Sequence, residues 1–426
     1  MRDSYWSKIL YRLSTFMAVF YISCSPENGN FIEPGISAEL AAQRKNSISD
    51  VVYELSFDIP ESKEEPIDGE LVLTFTLKDQ NHDLILDFNA DESFIKAVEN
   101  VGKPIPFELR NEHLIINREH LSKTNQFKIL FTAGDQSLNR RDEYLYTLFV
   151  PERASTCFPV FDQPNLKSKY RLNLKVPNEW TAVANGALKT RSEEDDKSIY
   201  EFEETLPISS YLFAFSAGRF QKETMVMNGR EMNLYHRESD STKVKRNLDR
   251  IFEWHSKSLE WLEEYTGIKY PFPKFDFVLI PSFQYGGMEH PGAIFYKASS
   301  LFLDESATLN QQIGRGRLIA HETAHMWFGN LVTMDWFNDV WLKEVFANFM
   351  AAKIVNPEFP EIDHNLNFLF GHYPRAYAVD RTSGTHAIQQ NLNNLKNAGS
   401  LYGAIIYQKS PIVMSMLEGN IGHENF

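Results

Sequence analysis

Cysteine is nearly missing from the 426 residues, with only Cys24 and Cys157 present. Their contexts differ, so a disulfide framework does not explain the fold and redox chemistry has no support. Cys157 reads as a small core residue. Basic charge is also in short supply: Lys and Arg total 43 against 57 Asp and Glu, a formal net charge of −14. No long basic run is available to track a phosphate backbone, which excludes nucleic acid as a partner. Internal repeats and low-complexity tracts are lacking too, and a solenoid or propeller is disfavoured. The apolar run near the start, Leu13 to Ile22, is too short to span a bilayer as a stable helix.

That short run nevertheless carries a signal. Arg2, Lys8 and Arg12 precede it, and Ser23 and Cys24 follow, so residues 1–24 read as a targeting segment. A cysteine directly after such a run resembles a bacterial lipoprotein signal, which is cleaved so that the cysteine becomes the lipidated first residue. Tyr21 departs from the small aliphatic residue usual three places earlier; an ordinary secretory signal and an uncleaved anchor are the alternatives. The lipoprotein reading implies export to the periplasm or cell surface, with attachment to a membrane through Cys24.

The remainder is long enough, at 43% hydrophobic residues, to bury a substantial core in two or three domains. Residues 25–46, rich in Pro, Gly, Asn and Glu without periodicity, read as a tether. Strict two-residue alternation follows, as in Tyr53, Leu55, Phe57, Ile59, then Leu71, Leu73, Phe75, Leu77, and again Tyr170, Leu172, Leu174, Val176 and Tyr211, Phe213, Phe215. Residues 47–220 are thus predicted to form an antiparallel β domain. After Gly218 the period changes. Val244, Leu248, Ile251, Phe252, His255, Leu259 and Leu262 share one helical stripe, with Gly267 as a stop. Residues 221–426 are assigned to a mainly helical domain that also holds a strand from Phe275 to Ile280, giving an α+β chain.

The chemically informative segment is His321-Glu322-Thr323-Ala324-His325, set in an apolar run from Leu318 to Phe328 without Gly or Pro. Residues four apart on a helix lie one above the other, so both imidazoles can share one metal ion. Glu322 is rotated by about 100° from His321 and can reach a metal-bound water without being a ligand. A second helix from Asp339 to Ile354 follows a break at Gly329 and Asn330, and it carries Glu344 on a face with Ala347, Asn348 and Ala351. A helix-loop-helix hairpin can bring Glu344 beside the histidines. Two imidazoles and one carboxylate leave a tetrahedral position for water, the arrangement of a catalytic zinc site.

His321-Glu322-x-x-His325, eighteen residues, and then Glu344 resembles the zinc signature of the M1 family, the aminopeptidase N and leukotriene A4 hydrolase type. The flanks Trp327 to Thr333 and Trp341 to Glu344 agree with it. Lys343 and Val345 stand where the family usually has Asn and Gly, and these departures predict altered packing only. Upstream, Gly286-Gly287-Met288-Glu289-His290 resembles the family's Gly-x-Met-Glu-Asn exopeptidase motif. Its glycines let substrate backbone approach an edge strand, and Glu289 can hold a free α-ammonium. His290 replaces the family Asn and predicts a pH-dependent affinity, because histidine titrates near neutrality. Val150 falls where the family has a Glu or Gln near the first substrate residue.

The resemblance further implies an N-terminal saddle-like β domain, a thermolysin-like catalytic domain that is incomplete here, one Zn2+ per chain, and peptide substrates with a free N-terminus. It implies a tyrosine that stabilises the oxyanion, and Tyr407, in Tyr407-Gln408-Lys409-Ser410, fills that place with Tyr402 as competitor. Members of the family continue well beyond this helix, so the chain reads as truncated. A zinc endopeptidase, a hydrolase of non-peptide substrates as in the epoxide-opening branch of the family, and an inactive peptide-binding fragment are the other readings that this sequence leaves open.

Overall fold

The computed structural model describes residues 32–422 and 424–426. Cys24 and the segment read as a leader lie outside the described residues. No described helix is long and apolar enough to cross a membrane.

The alternating runs form strands because a two-residue period sends every second side chain into the same core. Strand β1 (Ile48–Asp58) pairs antiparallel with β2 (Asp68–Leu77), and β2 pairs with β3 (Thr124–Thr132) in the same sense. On β2, Leu71, Leu73, Phe75 and Leu77 all point inward, as the alternation predicts. The expectation of an antiparallel sheet fails at one pairing. Strand β4 (Lys169–Pro177) runs parallel to β1 with Tyr53 opposite Tyr170, inside a sheet of eight strands. The run at Tyr211, Phe213 and Phe215 is a second departure. Ser210–Leu212 forms a 3-10 turn, and only Phe215–Gly218 is extended. The hydroxyls of Ser209 and Ser210 donate to the Pro164 carbonyl and to Asp162, which turns the backbone, while the three rings are buried by packing rather than by a pleat.

The segment read as a tether through Asn46 is also ordered near its end. Helix α1 (Ala38–Ser47) is capped by the Ser37 hydroxyl, and its Arg44 is 1% exposed. Arg44 forks onto both oxygens of Asp87 at 2.7 Å, and His113 Nδ1 lies 3.0 Å from the same carboxylate. A helix anchored by a buried guanidinium has no apolar stripe to announce it. Ahead of α1, the chain is tied to a distant stretch: Leu395 N–H donates to Ile36 O, Ala38 N–H to Asn393 O, and Asn394 Nδ2 to Glu33.

The second half packs helices on a smaller sheet. Helix α2 (Ser241–Thr266) starts at the Asp240 cap and ends at Gly267, whose φ of 66° suits a residue without a Cβ. Strands β5 (Gln221–Met227), β6 (Arg230–His236), β7 (Phe275–Ile280), β8 (Gly287–Met288) and β9 (Ala293–Lys297) form one sheet in the order β5-β6-β7-β9-β8. Strand β8 therefore lies at an edge. Helices α3 (Leu309–Ala324) and α4 (Val340–Val355) pack together beside it, and α5 (His364–Asp380) and α6 (Ser410–Ile421) follow. Cys157 is free and fully buried in the β-domain core.

Candidate metal centre

Helix α3 begins in a reciprocal cap between Thr308 and Gln311 and stops at Ala324, earlier than its apolar run suggested. His325 is the C-cap residue but keeps right-handed helical dihedrals, so it stays above His321. The chain then turns back, with the N–H groups of Asn330 and Leu331 donating to His325 O and Met326 O. Helix α4 returns alongside and presents Glu344 with Ala347 and Ala351 buried on its inner face. Three donor atoms converge. His321 Nε2 lies 3.1 Å from His325 Nε2, and Glu344 Oε2 lies 3.6 and 3.8 Å from them. Ligands about 2.0–2.2 Å from a tetrahedral zinc sit roughly 3.3–3.6 Å apart, so these residues fit such an ion.

Protonation supports the same conclusion. His325 Nδ1 lies 3.0 Å from the Phe328 carbonyl and donates to it, which turns Nε2 towards the other two donor atoms. Burial, with His325 alongside, holds His321 down to about 4, so the His321 ring is neutral at pH 7. Burial would raise the Glu344 carboxyl, but Lys343 and the two imidazoles hold it below its ordinary value, as a metal-ligating carboxylate requires.

Glu322 lies beside the triad, 4% exposed, and burial together with Glu289 and Glu344 pushes its carboxyl well up. A divalent cation among the ligands acts in the opposite direction. Gly286, Gly287, Met288 and Glu289 run along the edge strand facing this group, with Gly287 against Glu322. These residues, His321, Glu322, His325, Glu344, Tyr402 and Tyr407 all line one cavity of about 580 Å³. Tyr407 stands in a short π-helical turn, Ile405–Lys409, stacked on Tyr402 with ring centroids 6.3 Å apart. Burial, with Glu344 nearby, raises both phenols, so each is a neutral donor at pH 7. The Tyr402 hydroxyl is buried without a hydrogen-bond partner.

Two sequence expectations need correction. His290 is fully buried outside the cavity lining, edge-on to Phe295, and burial pushes it down to about 3, so it does not titrate near neutrality. Lys343 does more than alter packing. Its Nζ sits 2.5 Å from Glu289 Oε1 and 3.2 Å from Glu344 Oε1, inside the charged cluster. Val150 and Pro151 of the β domain, Arg317 and Leu318 of α3, and Tyr285, Asn348 and Gly399 also line the wall. Arg317 and Leu318 were not singled out from the sequence. Both lie within four residues of His321, one helical turn before it, and that proximity is the signal that could have found them.

Comparison with known proteins fits this geometry. The family model described as the Peptidase family M1 domain matches residues 250–426, and the Peptidase M1 N-terminal domain matches residues 49–212. The chain belongs to peptidase family M1. Among curated M1 relatives, it is 31% identical over 319 residues to "Leucyl aminopeptidase" of Saccharolobus solfataricus, covering 73% of this chain and 39% of that protein. It is 34% identical over 377 residues to "Puromycin-sensitive aminopeptidase" of Caenorhabditis elegans, covering 82% and 39%. "Probable aminopeptidase 1" of Sulfurisphaera tokodaii is 31% identical over 342 residues, covering 78% and 42%. The chain thus spans about two fifths of the length of these M1 relatives.

Proposed function

We propose that this chain is a zinc aminopeptidase that hydrolyses the first peptide bond of peptides. The observation that carries the reading is the convergence of His321 Nε2, His325 Nε2 and Glu344 Oε2 beside the buried Glu322. Aminopeptidase names among the relatives support it.

His321, His325 and Glu344 would hold zinc, which when bound acidifies a water molecule to a pKa of about 7 and polarises the scissile carbonyl. Glu322 takes a proton on its carboxylate and hands it to the leaving amine. Gly286, Gly287 and Met288 receive substrate backbone along the open edge of β8, and Glu289 faces the amino end. Tyr407, with Tyr402 as the second phenol beside it, donates a hydrogen bond to the carbonyl oxygen as negative charge gathers there. We also propose export as a lipoprotein attached through Cys24, a reading supported only by the residues around Leu13 to Ile22; intact-mass analysis of the membrane fraction tests it.

The test of the enzymatic reading is metal analysis of the purified chain combined with a panel of aminoacyl chromogenic amides. Glu322→Gln should keep zinc and lose roughly 10²- to 10⁴-fold in turnover. Full activity in that variant removes Glu322 from the chemistry, and a chain that takes up no zinc ends the reading.

A further inference from the structure

We propose that Lys343 is a specificity-determining residue whose ammonium occupies Glu289, the acceptor that a substrate's free α-ammonium would use. The site then takes peptides with a neutral, acylated amino end about as readily as those with a free amine. This rests on the peptidase reading above and concerns the substrate class of the same site.

The geometry of the lysine carries the proposal. Its Nζ reaches Glu289 Oε1 at 2.5 Å and Glu344 Oε1 at 3.2 Å, and lies 5.2 Å from the centroid of the Tyr211 ring. The ammonium donates a hydrogen bond to Glu289, forms an ion pair with Glu344 and lies over the face of the Tyr211 ring. The side chains of Lys343, Glu289 and Glu344 are 4%, 5% and 6% exposed, so the contacts are buried rather than solvent-screened. Lys343 is therefore held in the cluster and does not swing out to make room.

Other acceptors for an amino end are scarce. Among the described residues lining the cavity, the carboxylates are Glu289, Glu322 and Glu344. Glu344 belongs to the metal triad and Glu322 to proton transfer. The facing wall from the β domain is apolar, made by Val150 and Pro151. Glu289 is thus the single carboxylate left for a substrate amine, and it already holds a cation. With a divalent ion on the histidines, the ion and Lys343 balance the charges of Glu289, Glu322 and Glu344, so no negative charge is left over for a second ammonium. A second ammonium meets like charge at close range in a water-poor cavity, a repulsive element that lowers preference for a free amine.

The experiment uses the zinc-loaded full chain carrying Glu322→Gln, so that binding is read without turnover. Calorimetry compares the tripeptide Leu-Gly-Gly with its N-acetyl form, first with Lys343 present and then with Lys343→Asn or Lys343→Met. With the lysine in place the two dissociation constants should agree within about threefold, and removing its charge should tighten the free peptide by about tenfold or more while leaving the acetylated one unchanged. Lys343→Arg, which keeps the charge, should keep the small ratio. A free-amine preference above about tenfold in the lysine-containing protein overturns the inference, whatever the variants do. An unchanged ratio in folded, zinc-loaded Lys343→Asn does so as well and assigns the lysine a structural role. Binding of neither peptide, with zinc present, overturns the peptidase reading and this inference together.

Discussion

The Glu322 carboxylate occupies the place where Gly287 would carry a side chain: a Cβ built on Gly287 would lie 2.4 Å from Glu322 Oε1. The edge strand and the proton acceptor are therefore fitted to each other. Gly287→Ala must displace the carboxylate or the strand. Turnover should fall by about 10²-fold, the cost of misplacing a reacting group by about an ångström, while zinc content stays at the wild-type level. Wild-type kcat in Gly287→Ala would show that the contact is immaterial.

Loss of a ligand should differ from loss of the proton acceptor. Glu344→Ala removes one of the three converging donors and leaves Lys343 with Glu289 alone. Its zinc affinity should drop beyond the roughly 10- to 100-fold that loss of an outer-shell partner costs, and dialysis against a chelator should strip it where Glu322→Gln keeps its ion. Equal retention by both proteins would place the metal elsewhere.

Arg44 and Asp87 supply a stability test remote from the cavity. Burial would raise the Asp87 carboxyl, but Arg44 and His113 hold it down to about 2. A depressed carboxyl contributes stability that is present above its unfolded value near 4 and is lost as pH falls towards about 2. Removing one partner leaves a buried charge uncompensated, so Arg44→Met should cost about 3–5 kcal/mol in urea unfolding at pH 7. A cost under about 1 kcal/mol, typical of a surface pair, would mean that α1 is dispensable.

His255 predicts the direction of a pH effect. It is fully buried with its ring nitrogens 2.8 Å from Ile251 O and 3.0 Å from the Tyr296 hydroxyl, and burial holds it down to about 3 from an ordinary 6.5. The unfolded chain binds a proton there below 6.5 and the folded chain does not, so stability is complete above 6.5 and declines as pH falls towards 3. The decline should reach about 1.4 kcal/mol per pH unit from this residue. His255→Gln should unfold with a shallower dependence between pH 6 and 4, measured by urea midpoints. Identical slopes would assign the acid sensitivity to other groups.

Much of this was legible in the sequence because period and spacing are local. The stripe from Val244 to Leu262 and its stop at Gly267 became α2, the alternation at Leu71 to Leu77 became β2, and the four-residue histidine spacing brought two imidazoles together. What stayed hidden depends on partners far along the chain. Lys343 meets Glu289 across 54 positions and Arg44 meets Asp87 across 43, and neither pairing leaves a periodic trace. His290 looked able to titrate because its residue type is visible in a sequence and its burial is not.

The ties from Glu33, Ile36 and Ala38 to residues 393–395 join positions about 360 residues apart. A ribosome must make residues 393–395 before the lead-in can find its partner, so the strap closes only after most of the described chain has been made. The stretch that it clasps runs directly into the two phenols of the cavity wall. The pocket accordingly draws on both parts of the described chain, with Val150 and Pro151 from the β domain and its other lining residues from position 285 onward.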